Sequence, residues 1–90
     1  MDASVPDLSG QVAGLLAGTI DLKQFYRWFV MNGTAIELRG TDDEVDFHNT
    51  IENLFAEYTG DHISSGQLLE ALREEYELYV SDRELAAAPR

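Results

Sequence analysis

Apolar residues recur along most of the chain three or four positions apart, and each run is preceded by polar residues of the kind that start a helix. Leu8, Val12, Leu15 and Leu16 fall at i, i+4, i+7 and i+8, the stripe of an amphipathic helix. Ahead of them, Ser4-Val5-Pro6-Asp7 supplies an N-cap hydroxyl, a proline suited to the first turn and an acid at the third helical position. The spacing therefore predicts a first helix over about 6–17. On its far side Gly10, Ala13, Gly14 and Ala17 form a stripe of small residues. The two glycines cost the helix ~1 kcal/mol each relative to alanine, so it needs tertiary support.

Gly18 can take the left-handed conformation that ends this helix, and Asp21 with Gln24 has the N-cap to N3 spacing of a capping box. Leu22, Phe25, Tyr26 and Phe29 then share one face, with Lys23 and Arg27 beside it and Trp28 at its edge; these aromatics read chiefly as core. Asn32-Gly33 and Gly40 bracket Thr34-Ala35-Ile36-Glu37-Leu38-Arg39, whose alternation suits a short extended segment. A lone strand has no partner in this sequence, so the segment reads as a loop. Thr41 and Glu44 open a third helix to about Tyr58, with Phe47, Ile51, Leu54, Phe55 and Tyr58 inward and Gly60 as its end. Ser64 and Gln67 open a fourth to about Val80, with Leu68, Leu69, Leu72, Tyr76 and Tyr79 inward.

Residues 1–5 and 84–90 are expected to be frayed tails. The motif Ile20-Asp21-x-x-Gln24-Phe25 returns as Ile63-Ser64-x-x-Gln67-Leu68, an echo that shared capping chemistry explains as well as duplication does. The fold class that follows is all-α, a compact four-helix bundle with short loops, formed by residues 1–90 as a single domain.

Ninety residues suffice for one core and not for two. An apolar fraction of 44%, with 10% aromatics, separates the chain from disordered acidic tails. The absence of cysteine removes disulfides, thiolate metal sites and a cysteine nucleophile, and fits a reducing compartment. No apolar run is long enough to span a bilayer, and the start of the chain lacks the basic and apolar regions of a signal peptide, so a cytoplasmic location is expected.

Charge changes the picture more. The net charge is −11, and residues 1–40 carry four acids and three bases whereas residues 41–90 carry thirteen acids and three bases. A field of that sign repels nucleic acid and anionic membranes and attracts basic partners.

Candidate catalytic and metal chemistry is thin. Gly60 to Leu69 and Gly18 to Phe25 resemble the second half of an EF-hand, but aligning Ile63 places Ala56, Tyr58 and Gly60 at ligand positions and Gln67 where a bidentate Glu belongs. Aligning Ile20 likewise yields Ala13, Leu15 and Ala17. Asp42, Asp43 and Glu44 read as first-turn acids favoured by the helix macrodipole. His48 has Glu44 and Glu52 one turn away on either side, a spacing a metal could use, but no second His joins them; it reads as a helix-surface residue. His62 lacks even those neighbours. No phosphate loop, serine-nucleophile motif or zinc spacing is present, so the chain reads as non-enzymatic, with no cofactor and no metal.

The feature left over is the outer face of the fourth helix. Glu70, Glu74 and Glu77 lie on one stripe with only Arg73 near enough to offset them, and like charges at i, i+4 cost ~0.2–0.5 kcal/mol per pair. On the third helix Asp42 and Asp46 begin a similar face, flanked by Glu52 and Glu57. Solubility alone would account for such faces; a surface uniform in sign and poor in lysine also suits a basic protein partner, with Trp28, Tyr76 or Tyr79 as aromatic anchors if exposed.

The order of signals resembles that of small bacterial immunity proteins of the colicin D type: Leu15, Gly18, Ile20, Asp21, Leu22 and Phe25, then Ala56-Glu57-Tyr58, then Ile63, Ser64, Gln67 to Leu69 and Leu72. The likeness spans residues 8–76, and the segment 27–40 has no counterpart. It implies a four-helix bundle that binds a basic ribonuclease toxin and blocks its active site with acidic side chains in place of RNA phosphates. The expected function is an acidic binding protein that neutralises a basic partner, first a nuclease toxin. Its alternatives are a phage or mobile-element inhibitor mimicking nucleic acid, a helical module that self-associates through the small-residue stripe, and an enzyme accessory subunit. The chain is expected to be a monomer or weak homodimer that binds neither nucleic acid nor membrane directly.

Overall fold

The computed structural model describes the backbone of residues 7–87 and the side chains of residues 7–81. Among the described residues there are four helices: α1 (Leu8–Ala17), α2 (Leu22–Arg39), α3 (Asp42–Thr59) and α4 (Ser65–Ala87). Each packs against the next, and α4 returns to α1, so the helices close a ring around one core. This is the all-α four-helix bundle that the apolar stripes predict. Among the described residues there is no strand, and no helix is long and apolar enough to cross a membrane.

The helix starts are set by side chains that accept the orphan backbone N–H groups of a first turn. At α2 the Gln24 N–H donates to Asp21 Oδ1 at 2.7 Å, and the Asp21 N–H donates to Gln24 Oε1 at 2.8 Å. Thr41 with Glu44 and Ser64 with Gln67 repeat the reciprocal pair at α3 and α4. The start of α1 differs from expectation: Asp7 is the N-cap, taking the Gly10 N–H at 3.0 Å, and the helix begins at Leu8. The cap expected at Ser4 and the proline at 6 lie outside the described residues.

The helix ends explain the echo between the two halves. In α1 the Thr19 N–H reaches Gly14 O and the Gly18 N–H reaches Leu15 O, with Gly18 left-handed at φ 84°. In α3 the His62 N–H reaches Glu57 O and the Asp61 N–H reaches Tyr58 O, the same pair of bonds that defines a Schellman end. Gly60 ends α3 as expected, at φ −85°, and the left-handed residue is the next one, Asp61 at φ 64°. Gly18, Ile20, Asp21 and Gln24 thus correspond in role to Asp61, Ile63, Ser64 and Gln67. Both isoleucines pack partly buried against the core.

The largest departure is α2, which does not stop at Asn32-Gly33 but continues to Arg39. Residues 34–39 are helical, not a loop. Two local features permit this. Asn32 Nδ2 donates to Trp28 O at 2.8 Å, so its amide is satisfied by the helix it was expected to break. Phe25, Phe29, Gly33 and Ile36 form one buried stripe at i, i+4, i+8 and i+11, so the helical period runs through the segment. At the other end of the chain, α4 passes its expected end near Val80; residues 84–87 are helical, and 88–90 lie outside the described residues.

The core takes Leu8, Val12 and Leu15 from α1, Phe25, Phe29 and Ile36 from α2, Phe47, Ile51 and Phe55 from α3, and Leu68, Leu72 and Tyr79 from α4. Phe25 is its aromatic hub, with ring centroids 5.8 Å from Phe55 and 6.0 Å from Phe29. Full burial of each such side chain is worth roughly 1.5–3 kcal/mol, which outweighs a single cap and explains why the aromatic stripe, not propensity, decides the course of α2. Tyr26 is a correction: expected in the core, it is exposed, with its ring edge-on to Phe55 at 4.9 Å.

Candidate functional site

Two grooves flank α3, one facing α4 and one facing α2. The α3–α4 groove is lined by Asp43, Asp46 and Thr50 on one side and Glu75 and Leu78 on the other. Its floor is the stacked pair Phe47–Tyr79, with centroids 4.4 Å apart and planes 10° from parallel. Leu78 stands 59% exposed at its edge and also borders an adjoining depression with Glu74, Glu77 and Ser81. An exposed apolar side chain is thereby ringed by carboxylates from two helices.

Most of the acids singled out from the sequence are where their spacing put them. Asp42, Asp46, Glu52, Glu57, Glu70, Glu74 and Glu77 are all exposed. The fold divides them, however: Asp46, Glu74 and Glu77 gather around Leu78, whereas Glu52 lies in the groove on the opposite side of α3. Glu57 and Glu70 line neither of these surfaces. Among the described residues no lysine or arginine comes within ion-pairing distance of a carboxylate, and Arg73 is exposed without such a partner. The negative charge is therefore not neutralised by the basic side chains described.

The aromatic anchors fare differently. Trp28 and Tyr76 are partly buried and pack on the core, and Tyr79 is buried in the Phe47 stack, so it supplies the groove's floor and is no free anchor. Among the described residues the exposed large hydrophobics are Leu78, Val30, Met31, Leu38 and Tyr26, of which helical periodicity marked out only Tyr26, and that as core. The small-residue stripe of α1 is partly occupied by its own neighbours: the Asp7 carboxylate folds over Gly10, and Thr19 Oγ1, which donates to Gly14 O at 3.0 Å, covers Gly14.

The α2–α3 groove holds the clearest correction. His48, read as a surface residue, is 1% exposed, with its ring stacked on Phe29 at 4.7 Å. The signal was present in the sequence, because His48 precedes Ile51 and Phe55 by three and seven positions and so shares their inward face. Its acidic neighbours also differ from expectation. Glu44 is held by the capping box of α3, and Glu37 of α2 takes its place, with Oε1 3.9 Å from His48 Nδ1. Asn49 Oδ1 lies 3.3 Å from the same nitrogen. Glu37, His48 and Glu52 each offer a donor atom, and the three atoms lie within 4.8 Å of one another. Glu37 could not be found from the sequence because its segment read as a loop.

Compared with protein-family models, characterised proteins and solved structures, the chain matches none of them.

Proposed function

We propose that the protein is a non-enzymatic acidic binder that neutralises a basic partner protein through the α3–α4 face, with a nuclease toxin as the partner suggested by the resemblance to colicin D-type immunity proteins. One observation carries this reading: exposed carboxylates of α3 and α4 surround exposed Leu78, and no lysine or arginine among the described residues pairs with them. Holding like charges together costs the fold a little and gains it nothing internally. A basic partner reverses the sign of that cost. Approach of such a partner is accelerated roughly 10- to 10³-fold at low salt, and close pairs formed on docking contribute about 1.5–7 kcal/mol of coupling each. Leu78 adds an apolar contact inside a charged rim, the arrangement in which contact energy concentrates.

Zero-length carbodiimide cross-linking in the native cell tests this, because it joins carboxylates only to amines in contact. The reading expects links from Asp46, Glu74, Glu75 or Glu77 to lysines of one basic protein, whose nuclease activity falls on titration with the purified chain. Links confined to other faces, or a linked protein whose activity is unaffected, would reject it.

A further inference from the structure

We propose that Glu37, His48 and Glu52 form a binding site for one divalent first-row transition-metal ion, with Zn²⁺ as the test ion, in the groove between α2 and α3. Their donor atoms already lie within 4.8 Å of one another although they come from two helices. The site is more than a cluster of surface acids, because its centre is an imidazole almost wholly removed from solvent. That ring is fixed in three ways: Phe29 stacks on one face, Asn49 Oδ1 meets Nδ1 at 3.3 Å, and the absence of a side chain at Gly33 leaves room for Nε2. No described residue hydrogen-bonds to Nε2.

A neutral imidazole keeps the lone pair of one ring nitrogen for a ligand, and a fixed ring loses little freedom when it binds one. The donor set selects the ion. One imidazole and two carboxylates suit Zn²⁺ and its first-row neighbours, whereas Ca²⁺ and Mg²⁺ favour oxygen ligands alone. Two carboxylates also balance the charge of the ion. Bonds of about 2.0–2.2 Å require the carboxylates to draw inward by roughly 1 Å. Both glutamates are exposed, so rotamer changes can supply that movement without disturbing the core. The site lies across α3 from the acidic groove around Leu78 and does not depend on what binds there.

Calorimetric titration of the purified chain with ZnCl₂ at pH 7.5, paired with thermal melting, tests the site. The expected result is one saturable site of micromolar or tighter affinity and a melting midpoint that rises with Zn²⁺. Glu37→Gln and Glu52→Gln should each keep the helical circular dichroism and weaken binding at least about tenfold. Glu74→Gln with Glu77→Gln should leave it unchanged, and excess MgCl₂ should not displace the ion. Non-saturating uptake, undiminished affinity in the Glu37→Gln/Glu52→Gln double variant, or equal loss in the Glu74→Gln/Glu77→Gln variant would overturn the assignment.

Discussion

Gly33 of α2 and His48 of α3 meet so closely that a β-carbon at position 33 would lie 2.8 Å from Nε2 of the imidazole. The ring cannot retreat freely, because Phe29 is stacked on it at 4.7 Å. Helix propensity alone would make Gly33→Ala stabilising by ~1 kcal/mol. Overpacking at this contact outweighs that gain, so the substitution should destabilise the fold by about 1–2 kcal/mol in urea unfolding. In a His48→Ala background the same change should cost nothing further. A stabilised Gly33→Ala single variant would show that the two helices are not held together at this point.

Asp61 carries a left-handed backbone that glycine adopts freely, while the equivalent position at the end of α1 is Gly18. Replacing Asp61 with Gly should therefore raise stability by about 0.5–1 kcal/mol. Gly18→Ala should lower it by a similar amount. Chemical denaturation of the pair reads both signs, and a loss of stability in Asp61→Gly would contradict the left-handed turn.

The reciprocal bonds of Ser64 with Gln67 fix where α4 starts. Ser64→Ala should cost about 0.5–2 kcal/mol and Ser64→Asp much less, since a carboxylate accepts the same N–H. Equal stability of Ser64→Ala and wild type would place the helix start elsewhere.

Leu78 separates binding from folding. It is 59% exposed, so Leu78→Ser should change stability by less than about 0.5 kcal/mol. Affinity for the cross-linked basic partner should fall at least about tenfold, as for a contact inside a charged rim. Undiminished affinity would remove Leu78 from the interface.

How far the sequence could be read depended on where the deciding interaction lay. Starts of α2, α3 and α4 were legible because a capping box is a local device, complete within four residues at Asp21, Thr41 and Ser64. The continuation of α2 was not, since Asn32-Gly33 is a strong local breaker and is overridden by contacts with α3 that lie outside any sequence window. The same missing contact hid Glu37, whereas the burial of His48 was marked by its spacing from Ile51 and Phe55 on the inward face of α3. On the acidic face, the exposure of Glu70, Glu74 and Glu77 followed from helical periodicity. The grouping of Glu74 and Glu77 with Asp46 around Leu78 required knowing which helix packs beside α4, and periodicity within one helix carries no such information.

The most direct measurement of the central claim is the association rate of the cross-linked partner with the protein as a function of ionic strength, compared between wild type and the Asp46→Asn/Glu74→Gln/Glu75→Gln/Glu77→Gln variant. The acidic α3–α4 face predicts a wild-type rate that falls steeply with salt and a variant at least about tenfold slower at low salt with a flattened dependence. Superimposable salt profiles for the two proteins would contradict it.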